Sequence, residues 1–515
     1  MTKSIRAVGL YVLLAFPALA ALQGCTDLDE TPVSAITPEN FYRNEGEVLS
    51  GLVAVYAELR NSLGDYYNVT QVSSDENIVP TRGTDWYDNG KWLELHRQTW
   101  GPNSASGLAD INGAWNNLFT GVARANVVLN ALEGVSVANE AVMEAELRTL
   151  RAMFYYLLMD MFGGVPIVED LQITPRARNT RAEVFAFVES ELLAAREVLP
   201  ATWPAAFNGR ITKGGADAIL ASLYLNAQVF TGEVTASGLQ PGAAKWQEAV
   251  AVADRILNSG TYSLATNWRS NFTADNHLSP EIILVVKHLN QDGLGLTFLQ
   301  RALHYNQVDG EDPWNGFATI AETYNAFDNA DTRKVIFLAG LQNSLESHAT
   351  PVKDRLGNPL FYNPDLGDIT QATEGAGVRI AKWPVDPAHA NQNHGNDFAY
   401  FRLAEIILIK AEALNELGQT PAAVALVNQV RARVFNPAKP LNAASFTQAT
   451  FRDQILAERL FELASEAKRR MDLIRHGKFT LPWSYKLQTE PYRILMPIPQ
   501  SQLATNPLLT QNPGY

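Results

Sequence analysis

The chain has 515 residues, a formal net charge of −13 and a single cysteine. So acidic a body argues against nucleic acid and against docking on anionic lipid through the folded part. One cysteine excludes an internal disulfide framework, and a chain this long can bury a core that needs none.

At the N-terminus Lys3 and Arg6 precede an apolar run from Val8 to Leu22, followed by Gln23-Gly24-Cys25. The run is short for a membrane span, and its flanks suit a bacterial secretory signal over residues 1–24. Cys25 follows a small residue, as in a lipobox, whose cysteine becomes the lipidated first residue of the mature chain. Lipidation at Cys25 is therefore expected, with an ordinary cleaved signal as the alternative. Its loss of Lys3 and Arg6 leaves the mature chain more acidic, anchored by lipid rather than spanning the bilayer. Residues 25–37 are short, carry Asp27, Asp29, Glu30 and Pro32, and read as a tether. Acids beside a lipidated cysteine resemble the signal that sends some lipoproteins to the outer face of the outer membrane.

Helical signals then recur. Thr37-Pro38-Glu39 opens a stripe of Phe41, Val48, Leu52, Tyr56, Leu59 and Leu63, with Gly64 expected to end it. Residues 65–107 break the periodicity, which returns from Ile111 to Leu132. A strong helix carries Leu150, Met153, Phe154, Leu157, Leu158 and Met161 and stops at Gly163-Gly164, and another covers Arg181 to Leu199. Thr212 caps a helix bearing Ile219, Leu223 and Phe230; its partner runs from Trp246 to Leu257, with residues 231–242 inserted in the turn. Residues 262–397 are irregular apart from a strand expected at Ile282–Val286. A segment of that length in a compact protein is usually functional or packed around the repeats.

The stretch from Phe398 to Val434 reads as a hairpin of two helices the size of a tetratricopeptide unit. Leu403, Ile406, Ile407, Ala411 and Leu414 share one face, Gly418 is placed for the turn, and Thr420 and Pro421 are expected to cap and start the second helix. Such a hairpin cannot bury its apolar face alone, so neighbours must stack on it. Residues 140–199, 212–257 and, more loosely, 38–132 supply them. One further helix is expected over 451–474, and the tail from Leu495, with four prolines, is expected to be extended.

Several stretches together resemble the SusD/RagB family of nutrient-uptake outer-membrane lipoproteins. They are RTLRAMFYYLLMDMFGGVPIV (148–168), ITKGGADAILASLYLNAQVF (211–230), WQEAVAVADRILNSGTYSL (246–264), FRLAEIILIKAEALNELG (401–418), ILAERLFELASEAKRRMDLIRHGKF (455–479) and the ending LMPIPQSQLATNPLLTQNPGY. The resemblance implies an all-α, SusD-like fold of about four tetratricopeptide-like helix pairs plus an irregular, loop-rich lobe. An N-terminal helical region over 38–260 would pack as one unit with a C-terminal region over 261–515, its ligand-binding lobe at 261–397 and its closing helices at 398–476. It further implies binding of a nutrient, usually a glycan, at the cell surface, on a SusC-like TonB-dependent transporter. It implies neither catalysis nor a cofactor.

Glycans are recognised by flat apolar faces for the rings and by planar polar groups for the hydroxyls. A first aromatic cluster combines Trp86, Tyr87, Trp92, His96 and Trp100 with Arg82, Asp85, Asn89 and Lys91; a second holds Tyr305, Trp314 and Phe317. Ligand contacts are expected from Arg82, Trp86, Tyr87, Asn89, Trp92, Tyr305 and Trp314, with Trp100, Phe317 and Trp383 weaker candidates. The competing reading makes each ring a buried anchor for its loop. Asp386, His389, His394 and Asp397 have metal-ligating types but no metal-site spacing, and read as solvated loop polars. Asp328, Asp331 and Arg333 read as structural. Glu458, Arg459, Glu462, Glu466, Arg469, Arg470, Asp472 and Arg475 read as helix-borne ion-pairing residues. The alternatives to glycan binding are peptide or glycopeptide binding on the same architecture, a helical glycoside hydrolase with two carboxylates across a cleft, and an interaction scaffold. No His-Glu-x-x-His, Gly-x-Ser-x-Gly, Cys-x-x-Cys or phosphate-loop pattern is present.

Overall fold

The structure, a computed structural model, describes residues 42–515. The expected signal peptide, Cys25, the tether, Thr37-Pro38 and Phe41 lie outside the described residues. Helix α1 (Glu45–Val72) starts behind Asn44, whose side chain accepts from the Glu47 N–H at 3.1 Å. It runs on through Gly64, where the sequence pattern placed its end. Tyr66, Tyr67, Val69 and Val72 extend the buried stripe, and their burial outweighs the roughly 1 kcal/mol that a helix-interior glycine costs.

After α2 (Lys91–Arg97) come α3 (Ala109–Leu132), α4 (Glu140–Phe162), α5 (Arg181–Val198), α6 (Lys213–Leu225) and α7 (Trp246–Leu257). A long lobe separates these from α8 (Leu403–Glu416), α9 (Thr420–Ala432), α10 (Gln448–Leu463) and α11 (Arg469–Arg475). Four pairs, α1 with α3, α4 with α5, α6 with α7 and α8 with α9, stack in series through α3 on α4, α5 on α6 and α7 on α8. These are the four repeat units the periodicity implied. Where α3 meets α4 the fit is close: a Cβ at Gly121 would lie 2.4 Å from the Phe154 ring. The insertion between α6 and α7 holds a ribbon of β1 (Glu233–Thr235) and β2 (Gly238–Gln240).

Three local expectations are corrected. Thr420 is the first residue of α9 rather than its cap, and its hydroxyl donates to Asn415 Oδ1 at 2.9 Å; Gly418 does take the left-handed turn, at φ 78°. The single helix expected over 451–474 is two, because Ser465 and Ala467 are left-handed. That break is satisfied from outside. Lys382 Nζ donates to the Ala464 carbonyl at 2.6 Å, and Glu76 Oε2 accepts from the Ser465 N–H at 3.1 Å. In the tail, Gln500–Thr505 is helical, since Pro499 stands at the cap, where its missing N–H costs nothing.

The lobe rests on the helices through β3 (Ile282–Val286), antiparallel to β4 (Phe398–Arg402), which leads into α8. Two ladders of two residues, Phe337–Leu338 with Arg379–Ile380 and Gly340–Leu341 with Phe361–Tyr362, order its interior. Between lobe and repeats lies a belt of buried charge. Arg402 pairs with Glu281 at 2.9 Å, with Glu462, and with Glu466 at 2.8 Å; Arg333 pairs with Asp331 at 2.6 Å, Glu458 at 2.8 Å and Glu462 at 3.0 Å. The charged series on α10 and α11 is thus interior. Arg459 and Arg475 both bind Asp472, at 2.8 and 2.9 Å, and Arg475 also binds Glu412 at 2.5 Å. Residues Asn44–Tyr515 form one compact unit.

Candidate functional site

The turn that presents the first aromatic cluster is closed by reciprocal backbone bonds between Arg82 and Asp85, at 2.9 and 3.0 Å. Beyond it Trp86, Asp88 and Asn89 are left-handed, at φ 62°, 40° and 54°, a conformation costly for non-glycine residues and concentrated where function holds it in place. Arg82 anchors the turn from below. It is 2 % exposed and donates to the carbonyls of Thr373 and Ala376, the latter at 2.8 Å. Burial, with Arg379 nearby, pushes its pKa down.

The turn brings two distant aromatic groups together. Trp86 Nε1 donates to the Trp314 carbonyl at 2.6 Å, and its ring meets Trp92 and Phe317 edge to face at 5.3 and 6.1 Å. A Cβ at Gly316 would lie 2.4 Å from the Trp86 indole, so the glycine is what admits the ring. Trp314 Nε1 in turn donates to Gln392 Oε1 at 2.8 Å. On the other side of the turn, the Tyr305 hydroxyl donates to Asp85 Oδ2 at 2.5 Å. The Arg355 guanidinium lies over the Tyr305 ring at 4.4 Å and reaches Asp85 at 2.9 Å. Partial burial, then Asp85, push the Tyr305 phenol up to about 12. Partial burial opposes ionisation of Glu374, but the Arg355 N–H groups and His304 hold it down to about 2.

Of the residues expected to touch ligand, Tyr87 is 59 % exposed, Asn89 is exposed, and Trp86, Tyr305 and Trp314 are half-buried with accessible edges. Trp92 and Arg82 are corrected. Trp92 is 4 % exposed, wedged between Trp86, Phe317 at 5.5 Å and the Lys91 ammonium, with Nε1 donating to Asp88 Oδ2 at 2.6 Å; neither residue offers a surface to a sugar. Trp100, Phe317 and Trp383 are also core: Trp100 Nε1 donates to the Tyr515 hydroxyl at 2.7 Å, and Trp383 stacks on Phe398 at 5.7 Å. Sequence reasoning placed Asp85 in the first cluster but missed Arg355 as its partner, because Arg355 lies 270 residues away, on a loop whose pattern gives no sign of where it returns.

Asp386, His394 and Asp397 are buried, not solvated. Asp386 accepts from the N–H groups of Ala388 and Gly395 at 2.8 and 2.9 Å, Asp397 accepts from the His288 N–H at 2.9 Å, and His394 Nε2 meets Gln300 at 2.8 Å. Among the described residues no group of three or more His, Cys, Asp or Glu side chains is gathered to hold a metal ion. No helix among them is long and apolar enough to cross a membrane.

Known proteins share both the sequence pattern and the fold. Residues 28–225 match a family described as starch-binding and associating with the outer membrane, and residues 257–515 match the SusD family. SusD-like protein P25 of Formosa agariphila is 25 % identical over 99 % of both chains. The starch-binding protein SusD of Bacteroides thetaiotaomicron is 27 % identical over 87 % of this chain and 85 % of its own. Among solved structures, surface glycan-binding protein A of Bacteroides thetaiotaomicron in complex with laminarihexaose superposes with a TM-score of 0.70 at 19 % identity, covering 91 % of this chain and 99 % of its own. With the helix pairs, the lobe and both sequence matches in agreement, the chain belongs to the SusD family.

Proposed function

We propose that this protein is a cell-surface glycan-binding lipoprotein. Held by a lipid at Cys25, it would pass oligosaccharide to a SusC-like TonB-dependent transporter in the outer membrane. The observation that carries the reading is the meeting of two aromatic groups, from residues 82–90 and 305–314, at one partly exposed edge of the lobe. There Tyr87, Trp86, Tyr305 and Trp314 offer ring faces and edges, while Asn89, Asp85 and Arg355 offer planar polar groups for hydroxyls. Starch and laminarihexaose, the ligands named for two relatives, are both glucans and support the same ligand class here.

Around the aromatic edge the charge pattern does not supply the acid of a glycosidase. A glycosidase acid must keep its proton near neutrality, whereas Glu374 is held down to about 2. Glu311, which burial pushes up, is enclosed by Gln300, His389 and His394 rather than open to a cleft.

Native electrophoresis of the full chain through gels containing single polysaccharides tests the proposal. One glycan should retard the wild type, and Tyr87→Ala with Trp314→Ala should abolish the retardation. A panel of glycans that leaves mobility untouched would overturn it.

A further inference from the structure

Beside the aromatic edge, α1, the turn after β3 and the 298–302 helix enclose a pocket of about 220 Å³ lined by Arg60, Gly64, His288, Gly295, Arg301 and Asn393. Asn393 follows Gln392, which holds Trp314, so the pocket adjoins the proposed glycan edge. Two guanidinium groups reach it, and among the described residues neither forms an ion pair. Arg60 makes one long contact, Nη1 to the Lys287 carbonyl at 3.4 Å, and its buried Nε has no partner. Arg301 donates to Asn68 Oδ1 and otherwise lies over the Phe298 ring at 4.7 Å.

The nearby acids bind other groups, although Asp110 and Asp65 also attract Arg301. Asp110 is bound by Lys91 at 3.0 Å and Asn68 at 2.8 Å, Asp65 by Asn117 at 2.9 Å, and Asp397 by Lys287. Burial first, then Arg60 and Lys287, hold His288 neutral, with a pKa of about 3. This contrasts with the carboxylate-paired arginines between lobe and repeats. Buried Arg402, Arg333 and Arg475 each meet at least two carboxylates, while Arg82 and Arg379 spend their N–H groups on backbone carbonyls. Asp110 and Asp65 attract Arg301 without pairing with it, and no acid pairs with Arg60, so in a chain of net charge −13 this pocket holds two guanidinium groups open to an anion from outside.

Gly64 points the same way. Inside a helix of 28 residues it needs no unusual φ, and a Cβ there would meet only Arg301 Nη2, at 4.0 Å. Neither backbone nor packing demands a glycine; a side chain would instead fill the space in front of Arg301.

We propose that this pocket takes the anionic group of an acidic glycan, a uronate carboxylate or a sulfate ester, through Arg60 and Arg301. The inference deepens the glycan reading and rests on it. Native gels of the full chain would contain a neutral glucan, a polyuronate or a sulfated galactan, and free glucuronate and inorganic sulfate would be titrated separately by tryptophan fluorescence. One acidic polymer should retard the protein more than the neutral one, against net charge, with the excess fading as salt rises. Which acidic polymer does so separates carboxylate from sulfate. Arg60→Gln should weaken this binding about tenfold or more. Gly64→Met should do the same without lowering the melting temperature, so misfolding cannot account for the loss. Equal retention by neutral and acidic polymers, or an excess that survives both variants, would overturn the inference and leave the glycan reading intact. Binding of the free anions, lost in Arg60→Gln, without retention by any polymer would uphold the pocket and overturn the glycan reading. Silence in both arms would overturn both.

Discussion

The repeat helices and the lobe solve the same problem, burying polar groups, in opposite ways. Around the helices, charge meets charge: Arg402 and Arg333 sit among carboxylates with no exposure to water, Arg475 sits among them nearly enclosed, and Arg433 joins them by binding Glu462 at 2.5 Å. In the lobe, charge meets backbone. Arg379 reaches the carbonyls of Ala376 and Gly377 and, at 2.8 Å, of Glu374, and Arg82 reaches those of Thr373 and Ala376. Helices satisfy most of their own carbonyls, so Arg402, Arg333 and Arg475 turn chiefly to carboxylates, although Arg181 reaches the Met159 and Val229 carbonyls. Loops do not satisfy theirs, so arginines there finish the backbone's hydrogen bonds. The lobe can therefore keep long excursions ordered with only two-residue ladders, and it holds rings at its edge that a packed helix pair would bury.

Breaking the belt should have the largest effect. Arg402→Met leaves Glu281, Glu462 and Glu466 buried with too little positive charge, and should cost about 3–5 kcal/mol in denaturant unfolding. Arg379→Met should cost less, about 1–3 kcal/mol, because it orphans carbonyls rather than charges. Hydrogen exchange should then rise at residues 372–381 and stay unchanged in α4 and α6. Equal losses spread over both regions would erase the contrast.

The pH dependence sharpens it further. Glu76 lies where lobe and helices join, and burial pushes it up to about 8, against the opposing Arg469 and the Ser465 N–H. Native Glu76 therefore keeps its proton at pH values where the unfolded chain has lost it. Its contribution is complete below about 4.5 and is lost as pH rises through about 8. The free energy of unfolding should fall between pH 5 and pH 8, by at most about 1.4 kcal/mol per unit, and Glu76→Gln should flatten that slope. Smallest of all, Tyr87→Ala should change stability by less than about 0.5 kcal/mol, since the ring is exposed.

The same contrast explains what the sequence disclosed. Helix positions were legible because period and caps are local: Thr212, Gly418 and the stripes on α4 and α8 each act within a few residues. Errors fell where distant groups overrule local signals. Gly64 did not end α1 because Tyr66 and Val69 are buried beyond it, and the 451–474 helix broke because Lys382 and Glu76 bind its gap. The candidate site was half legible. Trp86 and Trp314 were chosen by type and do meet, Tyr305 reaches the same turn through Asp85, and Tyr87 stands exposed next to Trp86 in the chain. Trp92 and Trp86 are equally aromatic in the sequence, and the groups that enclose Trp92, Phe317 from far along the chain among them, become visible only in the fold.

The most direct test of the central claim is calorimetric titration, with the glycan that retards the wild type, of the full chain and of Tyr87→Ala/Trp314→Ala. The wild type should bind and the double variant should show no detectable binding, with a melting temperature that stays near that of the wild type. Unchanged affinity in a folded double variant would contradict the claim and place the ligand elsewhere on the molecule.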